Sequence, residues 1–172
     1  MTDITIRQLE SISTSRLNEL CTLLIDTVEG GASVGFLSPI AMDTAKSYWL
    51  KVESELESAT DLLVAEKNGQ TVGSVQIVYC TKENGAHRGE VQKLFVLQSN
   101  RRHGVATRLM LEAEKRAAQK GKTLLTLDTQ ENSSAEKLYE KLGWQKAGVI
   151  PDYACSPNGK LHGTTLFFKH VY

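Results

Sequence analysis

The spacing of apolar residues changes period repeatedly along the chain, and each change marks an element. Ile4 and Ile6 alternate ahead of Leu9, which predicts a short strand over Thr2 to Leu9. Leu17, Leu20, Cys21, Leu24, Ile25 and Val28 recur at helical spacing, so Ser11 to Gly30 is a predicted helix that Gly30-Gly31 ends. Gly30 to Pro39, GGASVGFLSP, has no period. It reads either as a plain connector or as the flexible wall of a substrate cleft. A second helix follows over Asp43 to Ser58, with Ala45, Trp49, Val52 and Leu56 on one side. The runs LLVAE and TVGSVQIVY flank Lys67-Asn68-Gly69-Gln70, and Asn-Gly between two apolar runs signals a β-hairpin. A second Asn-Gly, Asn84-Gly85, turns the chain into the next strand.

That strand lies at the centre of the pattern. Val91, Leu94, Phe95, Val96 and Leu97 form the apolar run of a strand covered on both faces. Ser99 to His103 are polar and basic, and from Gly104 the period becomes helical, with Val105, Leu109, Ala113 and Ala117 on one face and Ala106 and Met110 beside them. Gly121 caps this helix, and Thr123 to Thr129, TLLTLDT, is the next buried strand. A helix between two such strands implies one sheet with the helix crossing over it. Ser133-x-x-Glu136 is a capping box opening a short helix, Ser134 to Leu142, ended by Gly143. A strand over Trp144 to Ile150, a loop over Pro151 to Gly163 and a closing strand over Thr164 to Val171 complete the expectation. The fold class is α/β of the mixed α+β kind, in a single domain over residues 1–172.

Composition narrows the function. At 172 residues the chain can bury a real core, about 70% of its unfolded surface. Twenty basic and twenty acidic residues give no net charge, which argues against a nucleic-acid partner and makes any anion site local. No apolar run is long enough for a membrane span and MTDITIRQLE lacks a signal-peptide core, so no membrane partner and a cytoplasmic location are expected. Cys21, Cys80 and Cys155 are odd in number and widely spaced, and His87, His103, His162 and His170 lack ligand spacing. Neither a disulfide framework nor a metal site is expected.

The chemistry concentrates where the central strand meets its helix. The first N–H groups of a helix have no partner within it, and the helix dipole makes that end positive. Gly104 and Ala106 leave room for a ligand to reach backbone, while Arg101, Arg102 and His103 add charge, as a phosphate site requires. A solvated basic turn would use the same residues. Gly104-Val105-Ala106-Thr107 lacks the Lys-Ser/Thr of a Walker A loop, and a dinucleotide fingerprint needs three glycines where only one stands.

Arg101-x-x-Gly104-x-Ala106 after Leu94-Phe95-Val96 resembles the R/Q-x-x-G-x-G/A pyrophosphate loop of the GNAT family of N-acetyltransferases. Asn132 to Trp144, NSSAEKLYEKLGW, resembles that family's N-x-x-A-x-x-x-Y-x-x-x-G-F motif, with Trp144 in place of Phe. Gln98 stands where a proline is common, and Ala106 where glycine is commoner. The likeness covers nearly the whole chain and implies a twisted mixed sheet of about seven strands with about four helices around it. Gly30 to Phe36, Glu90 to Leu94, and Leu161-His162-x-Thr164 are similar to tabtoxin-resistance acetyltransferases, which inactivate a small β-lactam toxin through its primary amine.

The resemblance implies acetyl-CoA as cosubstrate and direct transfer to an amine in a ternary complex. Its pyrophosphate would meet the backbone from Arg102 through His103, Gly104, Val105 and Ala106 to Thr107, its pantetheine arm Leu94, Phe95 and Val96, and a further contact Asn132. A backbone N–H near Val96 would stabilise charge on the thioester oxygen. Tyr139, the motif tyrosine, would protonate the departing thiolate, although a helix tyrosine also packs on a sheet. An alkyl amine must lose a proton first; Glu90 is the candidate base and Asp128 the reserve, while Glu90 also reads as a solvated strand-end carboxylate. Ser33, Phe36, Trp49, Asp128 and Tyr153 are the candidate substrate contacts. The expected partner is a small-molecule amine, with a toxin or antibiotic as a candidate, and a homodimer is a candidate assembly because the family is often dimeric. A protein lysine or N-terminus as acceptor, or a non-catalytic acyl-CoA sensor, are the alternatives.

Overall fold

The computed structural model describes residues 4–56 and 58–172. Its elements run β1 (Ile4–Leu9), α1 (Thr14–Glu29), α2 (Met42–Glu55), β2 (Thr60–Lys67), β3 (Gln70–Tyr79), β4 (Arg88–Val96), α3 (Val105–Gln119), β5 (Leu124–Gln130), α4 (Ser134–Lys141), β6 (Gln145–Cys155) and β7 (Leu161–His170). The predicted start of the first strand, before Ile4, and residue 57 lie outside the described residues. One seven-stranded sheet has the order β1-β2-β3-β4-β5-β7-β6. β4 and β5 pair in parallel and every other neighbouring pair is antiparallel, as a sheet with one helical crossover requires.

Both faces of the sheet are covered. On β2, Leu63 and Ala65 join the core beneath α3, while Leu62 and Val64 join the one beneath α1 and α2. That two-sided burial is why β2 shows no alternation of polar and apolar residues. α3 presents Val105, Leu109, Met110, Ala113 and Ala117 to the sheet, and each fully buried leucine contributes about 1.5–3 kcal/mol. The Asn68-Gly69 turn has both residues at positive φ, 53° and 80°, as a two-residue hairpin demands. Asn84-Gly85 does not: Glu83–Gly85 form a single tight helical turn, packed so that a Cβ on Gly85 would meet the Cys80 sulfur.

The region after Ile150 departs from expectation. Residues 151–155 continue β6, and β7 begins at Leu161, leaving only a short turn where a long loop was predicted. β6 is the outer strand, so Pro151 removes no interior hydrogen bond, and a register shift between Ile150 and Ala154, with Asp152 at φ 50°, absorbs the misfit.

Candidate active site

The site opens where β4 and β5 separate. Their pairing runs from Arg88 opposite Leu124 to Glu90 opposite Thr126 and stops there. Just beyond, Lys93 and Leu94 together face Val75 of β3, and Lys93 has φ 56°. A bulge of this kind bends its strand and re-aims a side chain. Past it the strands diverge around a cleft of about 850 Å³.

One end of the cleft is built from backbone. Arg102 and Gly104 both have positive φ, 63° and 77°, turning the chain sharply into α3. The N-termini of α1 and α4 are capped by the hydroxyls of Ser13 and Ser133, whereas α3 begins at Gly104 with no side-chain cap. Its first N–H groups therefore face the cleft with their hydrogen-bonding capacity unspent. Arg101, Arg102 and the segment Gly104 to Thr107 line this end, and the Nε of Arg101 donates to the Val96 carbonyl at 3.3 Å. An anionic group suits such a cradle.

The other end is built from side chains that are distant in sequence. Ser33 to Gly35, Lys93, Asp128 to Gln130, Tyr139, His162 and Thr164 line it. The loop between α1 and α2 is tied across to the β6–β7 turn. His162 Nε2 lies 2.9 Å from Ser33 Oγ, that hydroxyl donates to the Cys155 carbonyl at 3.2 Å, and Ser38 N–H donates to the Pro157 carbonyl at 3.0 Å. Tyr139 packs on Trp144 and Phe167 and is only 6% exposed. Burial first, and the Asp128 carboxylate second, push its phenol well above the ordinary value, so it is protonated at neutral pH. The capping box is rearranged to hold α4. Glu136 accepts from the Asn132 N–H at 2.6 Å and from the Thr165 hydroxyl at 2.8 Å, and pairs with Lys146.

The sequence matches the Acetyltransferase (GNAT) family over residues 22–144. This chain belongs to that family. It is 32% identical over 133 residues to an uncharacterised N-acetyltransferase from the hisH–hisA intergenic region of Azospirillum brasilense, covering 76% of this chain and 78% of that protein. An N-acetyltransferase from Staphylococcus aureus Mu50 has the same fold, with a TM-score of 0.82 at 18% identity over 99% of this chain and 100% of that one. So does yncA from Salmonella typhimurium, solved with its cofactor acetyl-CoA, with a TM-score of 0.81 at 16% identity over 99% and 95%. The protein is a GNAT acetyltransferase.

Within this GNAT fold the residues expected to hold a cofactor fall together. Leu94, Val96, Arg101, Arg102, Gly104, Val105, Ala106 and Thr107 line the cleft. Phe95 is fully buried in the α1–α2 core and could contribute backbone alone. His103 and Asn132 are near in sequence but outside the lining residues, Asn132 holding the turn before α4 at φ 60°. Ser33, Asp128 and Tyr139 line the cleft as expected. Glu90 stands at the last position where β4 pairs with β5, outside the lining. Partial desolvation, with Asp128 second, pushes its carboxyl above the usual range.

Three aromatic residues expected at the cleft lie elsewhere. Trp49 is fully buried, its indole N–H donating to the Leu20 carbonyl at 2.8 Å, because it occupies the inner stripe of α2. Phe36 packs edge-on against Tyr48 at 5.4 Å, and Tyr153 is 57% exposed on the outer strand β6. Conversely, Lys93 was hidden inside an apolar strand pattern, and only the bulge brings it to the cleft. His162 stood within the Leu161-His162-x-Thr164 likeness without a role, since nothing local ties it to its partner Ser33, 129 residues away.

Proposed function

We propose that the protein transfers the acetyl group of acetyl-CoA to the primary amine of a small molecule, by direct transfer in a ternary complex in the cytoplasm. The observation that carries this reading is the two-ended cleft, with an uncapped helix N-terminus at one end and Asp128 beside Tyr139 at the other. The ties between the α1–α2 loop and the β6–β7 turn bridge the acceptor end, which favours a small molecule over an extended peptide. Three free cysteines suit a reducing compartment.

Acetyl-CoA brings an activated acetyl thioester; the chain supplies the grip and the protons. The N–H groups at the start of α3 and the arginines beside them would hold the pyrophosphate, and the unpaired edge of β4 would hold the pantetheine arm. Asp128 meets the acceptor ammonium and takes its proton, with Glu90 coupled to it as the second carboxylate. The freed amine forms its bond to the carbonyl carbon, the C–S bond breaks, and Tyr139 gives its proton to the departing sulfur. The second amine proton, shed as the amide forms, restores the Tyr139 phenol, while Asp128 releases the first to solvent. Protonation of Asp128 removes one of the two causes holding the Tyr139 phenol up, so the acid strengthens as the base acts.

The test is thiol release from acetyl-CoA with a panel of small primary amines, including a β-lactam amino acid of the tabtoxin type, beside lysine-bearing peptides. Release with small amines and none with peptides is expected. Release with peptides alone would replace this reading with protein acetylation, and CoA binding without release on any acceptor would replace it with a sensor.

A further inference from the structure

Lys93 is the one cation at the acceptor end of the cleft among its described lining residues, and the fold goes to some length to put it there. A strand residue in its place would alternate between the two apolar cores, but the bulge at Lys93 and Leu94 turns the side chain along the cleft. Its ammonium donates to the Val34 carbonyl at 2.6 Å and stands 5.8 Å from the centre of the Phe36 ring. Gly35, at φ 94°, keeps that space open, since a Cβ there would stand 3.1 Å from Nζ. Among the described residues no carboxylate forms an ion pair with it; burial pushes its ammonium below the usual range, and the nearby Asp128 and Glu90 carboxylates oppose that and favour the charged form. A partly buried ammonium held by one carbonyl and an aromatic face, with no carboxylate among those residues in contact, retains donor capacity for an anion.

Resting on the acetyl-transfer reading, we propose that Lys93 reads a carboxylate on the acceptor, so that the substrate class is amino acids whose amine faces Asp128 while their carboxylate faces Lys93. The two residues stand on the diverging strands β4 and β5 and supply opposite charges to one end of one cleft, which matches a zwitterion. A single ammonium suits a singly charged carboxylate; a phosphate would draw on the clustered donors at the other end, where the arginines are.

The experiment measures thiol release from acetyl-CoA with a panel of amino acids, each beside the amine that lacks its carboxylate, for wild type, Lys93→Met and Lys93→Arg. Wild type should prefer the acids by about tenfold or more in kcat/KM. In Lys93→Met that ratio should collapse toward one, with the loss concentrated in KM for the acids, and Lys93→Arg should restore part of it. If Lys93 only positions the Val34 loop, Lys93→Met will slow both members of each pair equally, and the preserved ratio overturns the inference. Equal use of acids and amines by wild type overturns it while leaving acetyl transfer intact. Bound acetyl-CoA with no release on any acceptor overturns acetyl transfer as well.

Discussion

The two ends of the cleft are made in different ways. The cofactor end comes from one continuous segment, the close of β4, the turn and the first turn of α3, and it offers mostly backbone N–H groups. The acceptor end is assembled from side chains contributed by the α1–α2 loop, β4, β5, α4 and β7, and hydrogen bonds such as Ser33 to His162 close it over 129 residues of sequence. Backbone donors depend on chain geometry more than on side-chain identity, so a few small residues and positive φ values suffice. Side-chain recognition depends on each residue and can change while the cradle stays the same. A fold organised this way can keep one donor and vary its acceptor.

Mutations at the two ends should therefore separate cleanly. Asp128→Asn is expected to lower kcat/KM for the acceptor by about 100-fold, with acetyl-CoA affinity preserved. It also removes the like charge that helps hold the Glu90 carboxyl up, so that carboxyl should titrate at a lower pH in the variant than in wild type. An NMR titration of the Glu90 carboxyl in both proteins checks the sign: a value that moves upward in the variant, or acetyl-CoA affinity that falls with turnover, would break the division. Ala106→Glu puts a carboxylate at the uncapped start of α3, where an anion should sit. The expected result is a roughly tenfold weaker Kd for acetyl-CoA by calorimetry, with KM for the acceptor unchanged. His162→Ala should act only at the far end. Loss of its contact to Ser33 is worth about 1 kcal/mol, read as a rise of about fivefold in acceptor KM without change in acetyl-CoA affinity.

The same division explains what the sequence disclosed. The cofactor end was legible because its signals are local: an apolar run, a basic turn and small residues at a helix start all fall between Leu94 and Thr107. Element order was legible for the same reason, since helical period, Asn68-Gly69 and the Ser133 cap each act within a few residues. The acceptor end was not. Trp49 looked like a cleft aromatic because helical spacing cannot say whether an inner stripe meets a cavity or a core. Lys93 escaped because a bulge depends on the partner strand, where Val75 faces two residues instead of one. The strand through Pro151 escaped because proline argues against an interior strand, and only the finished sheet shows that β6 is its edge.

The most direct test of the account measures acetyl-CoA affinity and turnover in parallel for wild type and Tyr139→Phe. The hydroxyl lies at the reacting end and away from the pyrophosphate cradle, so turnover should fall at least about 100-fold while Kd for acetyl-CoA stays the same. Turnover at the wild-type rate would contradict the role of Tyr139 as the acid, and a fall in affinity that matched the fall in turnover would contradict the separation of the two ends.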